Sequence, residues 1–273
     1  MKLYFFPTQY KFEWDSPQIL AKSVIRNNFL PSKYKYRASI GHVSVELKCG
    51  EYFYDHTGMT TLDKNEDTDL VLKKKIGLGV MFYPMAGKLQ TISEITKDIK
   101  ERMGGEDISW VKYKINEFTC FRLKEYLTIY RQENLEQVYG LVFNPRRKEG
   151  AGCSAFAMSF LEIAGILTDE HRLNWSRHLN TNKDLNAYNG SSKSVSIFKM
   201  ALGINSKTWA KSPSDGIPIS FWEPNLMHEW TKRTFDLENQ RHVGIYELES
   251  YGKSKGIVYD ARLKIPDLGP LFY

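Results

Sequence analysis

Apolar residues crowd first at Leu3, Tyr4, Phe5 and Phe6, a run that reads as a β-strand. Ser16-Pro17 then marks a helix start, because serine caps well and proline suits the first turn. Ile19, Leu20, Val24 and Ile25 give that helix an apolar face, and it should stop before Pro31. From 40 to 47, IGHVSVEL is β-branched and partly alternating. KCGE turns at Gly50, and EYFYDH returns as a partner strand. DKNEDTD near residue 63 reads as a polar loop, and IGLGVMFYPM at 76–85 as a strand or pair of strands. Thr91-Ile92-Ser93-Glu94 fits a capping box, with Ile92, Ile95, Ile99 and Met103 at helical spacing and Gly104-Gly105 as the stop. A strand follows around Trp110 to Ile115, then an amphipathic helix carrying Phe121, Leu123, Tyr126, Leu127 and Tyr130.

A Gly/Pro/basic loop from Asn144 to Gly152 leads into a further helix, with Phe156, Phe160, Ile163, Ala164 and Leu167 on one face. The stretch from Thr168 to Ile217 is rich in Asn, Ser and Lys and carries no clear period. IPISFWEPNLMHEW reads as a strand and a short helix, and RHVGIYEL, YGKSKG and IVYDARL as a closing β-hairpin. No repeat of fixed period is present, although GHVSVEL at 41 is echoed by RHVGIYEL at 241. These elements predict an α+β fold with an antiparallel sheet. The 273 residues suit one domain, 1–273, with 168–273 as an elaboration of it.

Composition narrows the function. Aromatics reach 14%, which points to a β-rich core. The net charge is +6, but the signs alternate along the chain. The basic runs Lys73-Lys74-Lys75 and Arg146-Arg147-Lys148 are short and read as solvated faces, and no nucleic-acid motif accompanies them. Three cysteines without a CxxC pair leave room for at most one disulfide and argue against structural zinc. Six histidines show no HExxH or other compact ligand spacing, so no metal or other cofactor is expected. No apolar run has the length of a membrane span. The N-terminus does not read as a signal peptide; the compartment stays open, exported if a leader was removed.

The chemistry concentrates at GAGCSAFAMSFLEIAGIL, residues 150–167. Cys153 stands at a helix start, where unpaired N–H groups and the helix dipole favour a thiolate. The small residues before it admit a substrate backbone, and the same N–H groups suit an oxyanion hole. A thiol also needs a base. His42 and His242 each begin a predicted strand, and either suits that role. The bland alternative is a core cysteine and two ordinary histidines.

Cys-Ser on the first turn of an amphipathic helix, with a strand of the form His-Val-x-Val, resembles the papain-like superfamily of NlpC/P60 cysteine peptidases and amidases. With His42 before Cys153 the order is that of its circularly permuted branch, which includes the lecithin:retinol acyltransferase-like proteins and bacterial relatives. With His242 it would be the usual order; the close β-return after Gly41-His42-Val43 favours His42. The resemblance rests on two short motifs within residues 40–167. It implies a papain-like sheet packed on helices and acyl transfer through a Cys153 thioester, with His42 as base. The substrates the resemblance implies are peptidoglycan stem peptides, other amides or lipid acyl groups, and the basic balance favours an anionic cell-wall substrate over a neutral lipid.

Papain-like members take a third residue, which orients the imidazole, from the strand beside the histidine. A hairpin with a two-residue turn at Cys49-Gly50 pairs His42 with Thr57 and sets Asp55 diagonally on the same face, so Asp55 is the favoured carboxylate. A longer turn gives that face to His56 or Tyr54, and Glu46 is the runner-up carboxylate. The rival function is an inactive papain-like binding module for an anionic glycan or peptide, using aromatics such as those in PISFWEPNLMHEW, although most such aromatics serve cores.

Overall fold

The computed structural model describes residues 1–35, 39–63, 65–189, 193–204, 208–212 and 214–273. Along the chain run β1 (Lys2–Phe6), α1 (Pro17–Phe29), β2 (His42–Cys49), β3 (Phe53–Thr57), β4 (Met59–Thr61), α2 (Glu66–Leu72), β5 (Met85–Leu89) and α3 (Ile92–Arg102). Next come β6 (Ser109–Lys114), α4 (Glu117–Gln132), β7 (Val138–Tyr139), α5 (Cys153–Ile163), α6 (Asp169–Trp175) and β8 (Ser176–Asn182). α7 (Ile197–Ala201), β9 (Gly216–Trp222), α8 (Pro224–Arg241), β10 (Glu247–Tyr251) and β11 (Ser254–Asp260) complete the order. The fold is α+β. Its main sheet has the order β10-β11-β6-β1-β2-β3, with smaller sheets β4-β5-β7 and β8-β9. The main sheet is not wholly antiparallel, because β11 runs parallel to β6.

β1 lies inside that sheet, between β6 and β2. Leu3 and Phe5 enter the main core, while Tyr4 and Phe6 join Ile108 and Trp110 on the other face, under Ile99 and Met103. Burial on both faces explains why LYFF shows no alternation. α5 is apolar almost all round for the same reason: every residue except Ala155 and Glu162 is buried. Its Phe156 and Phe160 interlock edge-on with Tyr130 and Tyr126 of α4 at centroid separations of 5.1 and 5.4 Å. A disulfide from Cys49, at the end of β2, to Cys120, on the first turn of α4, ties sheet to helix. Cys153 remains free.

A second core joins Trp14 and Leu20 to Leu78, Leu185, Met200 and Phe221. The apolar stretch at 76–85, expected as strand, forms a 3-10 turn over Leu78–Met81 here. Gly77 is the cause: its φ of +56° reverses the chain, and a Cβ there would lie 2.5 Å from the Leu185 carbonyl oxygen. The polar stretch near 63 runs into α2, whose first turn carries Glu66, Asp67 and Asp69, a placement the helix dipole favours. α8 runs 18 residues rather than the short helix expected. Its extension carries His242 away from any strand: His242 is the exposed C-cap of α8, at φ +50°.

Arg146, read as part of a solvated basic run, is instead buried at 3% exposure. It sits just ahead of α5 and pairs with Glu162 of α5 at 3.1 Å and with Asp267 of the C-terminal tail at 2.8 Å. It also donates to the Pro270 and Leu271 carbonyls. The tail therefore straps α5 in place. Among the described residues no helix is long and apolar enough to cross a membrane.

Arg146→Ala should lower the unfolding free energy by on the order of 2 kcal/mol, below the figure for a fully buried pair because Glu162 and Asp267 retain contact with water. Urea denaturation checks this, and a loss under about 0.5 kcal/mol would show that the clamp is ornamental. Peptide mapping without reductant should recover Cys49 linked to Cys120, and breaking that link, which closes a span of 71 residues, should cost about 4 kcal/mol on chain-entropy grounds.

Candidate active site

Three backbone turns bring the site together. Gly150 takes φ +86°, and a Cβ there would sit 2.3 Å from the Val138 carbonyl oxygen, so the loop before α5 can press onto β7 only with glycine. Gly152 is the N-cap of α5 and has no side chain to cap it, which leaves the first-turn N–H groups without a capping side chain. Gly41, at φ +91°, turns the chain against Pro224 and delivers His42 as the first residue of β2.

Cys153 and His42 meet in the interior, at 3% and 4% exposure. The thiol and the imidazole hydrogen-bond each other. The other side of the ring is occupied: His42 Nε2 donates to Gln90 Oε1 at 2.6 Å. With Nε2 committed to the amide, Nδ1 faces the sulfur, and the tautomer is fixed. Gln90 is itself held, its N–H donating to the Gly58 carbonyl at 2.9 Å and its carbonyl accepting from Thr57 Oγ1 at 3.0 Å. Gly58 has to be glycine, because a Cβ would come within 3.1 Å of Gln90 Oε1 and 3.3 Å of His42 Nε2.

The electrostatics favour charge separation. Burial pushes the Cys153 thiol up, but the His42 hydrogen bond and charge, the Val43 N–H and the Ser154 hydroxyl together bring it down to about 7. Burial alone would depress His42; the hydrogen bond and charge of Cys153, the Gln90 amide and the charge of Asp98 hold it above its ordinary value. Both shifts run in the direction that favours passing one proton from sulfur to nitrogen.

The structure thus joins Cys153 to His42 and leaves Asp55 elsewhere. Glu46 pairs with His56 and Leu47 with Asp55, because the hairpin turn holds three residues, Gly50 to Tyr52, rather than two. That change of parity moves Asp55 to the other face of the strand. Its carboxylate is ion-paired with Arg131 at 2.5 Å. His56 does share the parity of His42, but its Nε2 meets Ser44 Oγ at 3.0 Å, and burial pushes it down to about 4, so it is neutral. Glu46 accepts from the Tyr4 hydroxyl at 3.0 Å, and Tyr54 is half exposed. Gln90 went unnoticed in the sequence; its one signal is a position directly before the capping box of α3.

His42 also forms part of the wall of an apolar cavity of about 160 Å³ between α1, α2, α7 and the Leu78–Met81 turn. Among the described residues no three His, Cys, Asp or Glu side chains converge as a metal-ligand set. The aromatics of PISFWEPNLMHEW serve packing, with Phe221 and Trp230 buried. No family model matches the chain, and no curated protein or solved structure matches it.

Alkylation of Cys153 by iodoacetamide should follow a midpoint near pH 7, below the ordinary thiol value of about 8.5. His42→Ala removes the largest lowering influence and leaves burial opposed only by the Val43 N–H and the Ser154 hydroxyl, so the midpoint should rise towards the ordinary thiol value. Gln90→Ala should raise it by a smaller amount. A midpoint unchanged by His42→Ala would show that the thiol is not activated by the ring.

Proposed function

We propose that the chain is a cysteine hydrolase of papain-like build that cleaves amide or peptide bonds, cell-wall peptides among the candidate substrates, through a Cys153 thioester. The observation that carries this reading is the buried chain of thiol, imidazole and amide from Cys153 through His42 to Gln90. The order, His42 before Cys153, is that of the permuted branch the sequence resembles. The roles follow from the geometry. Cys153 sulfur attacks the carbonyl carbon, and the oxyanion takes hydrogen bonds from the uncapped N–H groups of the first turn of α5. As the bond to the leaving group breaks, His42 gives its proton to that group. Water then attacks the thioester, His42 takes its proton, and the sulfur departs as thiolate. Gln90 touches no reacting atom; it orients the ring as the third member of a triad does.

A binding module remains the second reading, because one observation favours it. Cys153 and His42 are almost wholly shielded from water, so substrate reaches the sulfur only when the surrounding wall yields.

Hydrolysis of a panel of N-acyl amino acids, short peptides and peptidoglycan stem peptides separates the two. Turnover should vanish in Cys153→Ala and fall by on the order of 10²- to 10⁴-fold in His42→Ala. Gln90→Ala should lower kcat more than it raises KM, and Gln90→Asn should recover part of the loss. Binding of panel members without turnover, equally tight in wild type and Cys153→Ala, would favour the binding module.

A further inference from the structure

The PISFW stretch of β9 is only partly used in packing. Phe221 is buried in the second core, whereas Trp222 lies against the main core and stays half-buried, and Ser220 is exposed. Ser220 and Trp222 line a cleft of about 320 Å³ together with Glu162 of α5 and Arg172 of α6. That is the small end of the range for ligand clefts, with room for one substituted ring. Neither Cys153 nor His42 is in its lining.

One charge in this cleft is unanswered. Arg146 nearby has two carboxylates, those of Glu162 and Asp267. Arg172 is exposed, and its guanidinium makes no ion pair or hydrogen bond among the described residues. A guanidinium fork matches a carboxylate bidentately. Around it stand groups that suit hydroxyls. Glu162 keeps 37% of its side chain exposed while it holds Arg146. Ser220 Oγ is fixed by a 2.6 Å hydrogen bond with His178 Nδ1. The backbone N–H and C=O groups of Leu141 and Val142, in the same lining, have no hydrogen-bond partner among the described residues. A purely apolar acid would leave these donors and acceptors unpaired, whereas a hydroxylated ring meets both kinds. Trp222 and Tyr273 add aromatic surface, against which the C–H side of such a ring can pack. We propose that this cleft binds a carboxylate-bearing sugar ring, a unit of an acidic polysaccharide or the free sugar acid. Arg172 takes the carboxylate, and Glu162, Ser220 and the Leu141–Val142 backbone take the hydroxyls. No bond is made or broken there, and the site stands independently of Cys153.

Isothermal titration of the intact protein tests this with D-galacturonate, D-galactose, acetate and tetragalacturonate. Galacturonate should bind more tightly than galactose, which lacks the carboxylate, by on the order of tenfold or more. It should exceed acetate, which lacks the ring, by a similar factor. Arg172→Gln, a change at an exposed helix position, should bring galacturonate down to galactose. Arg172→Lys, which keeps the charge without the fork, should fall between, so either variant reports if the other misfolds. Cys153→Ala should bind as the wild type does. Tetragalacturonate binding above the monomer assigns the site to a polymer, and its exclusion assigns it to the free sugar acid. No saturable binding of galacturonate or the tetramer overturns the proposal. So does acetate or galactose binding equally well, indifference to both Arg172 variants, or loss of binding in Cys153→Ala.

Discussion

A thiol and an imidazole buried together can both stay charged only by sharing a proton, and the rest of the molecule is arranged around that constraint. In a dry interior an isolated thiolate is prohibitive, and so is an isolated imidazolium. Paired, each offsets part of the other's penalty, which is why the thiol is lowered and the imidazole raised despite their burial. The Gln90 amide settles the remaining question of which nitrogen faces the sulfur. Gln90 is fixed through Thr57 and Gly58, and Gly58 is fixed by the closeness of the very groups it supports.

The two halves of the pair come from parts of the fold that must dock with sub-ångström consistency. His42 leads β2, which is registered on β1 and β3. Cys153 leads α5, which is locked by aromatic packing against α4 and by Arg146 against the C-terminal tail. The Cys49–Cys120 disulfide then ties the far end of β2 to α4, so that sheet and helix layer are covalently joined. A buried arginine beside α5 is a strong constraint on the loop that precedes Cys153, because its charge is satisfied only when α5 and the tail are both in place. The tail is therefore part of the scaffold that holds Cys153 beside His42.

Much of this was legible. The capping box at Thr91, the proline start of α1 and the apolar period of α5 are local signals, and the chain obeys them. The pairing of Cys153 with His42 followed from chemistry and resemblance rather than from spacing, since 110 residues of sequence lie between positions 42 and 153. What failed was parity and reach. One extra residue in the turn after Cys49 reversed the face on which Asp55 stands. His242 lost its strand because α8 ran on through the polar residues before it, a tertiary outcome that its mixed pattern does not announce. Gln90 is an amide at the junction of a strand and a helix, and only the close approach of Gly58 and His42 gives it meaning.

Burial of the dyad also constrains how the site is used. A thiolate with a pKa near 7 exposed to water would be open to oxidation and to adventitious electrophiles. Shielded at 3% exposure, it is reached only through a yielding wall, and the wall that includes His42 is the one built over the apolar cavity. The elements on that side, α1, α2 and the Leu78–Met81 turn, belong to the second core rather than to the sheet that positions His42. They pack apart from β1 and β2, whose Leu3, Phe5, Val43 and Val45 belong to the main core, so the wall beside His42 and the strand that carries it rest on separate packing units.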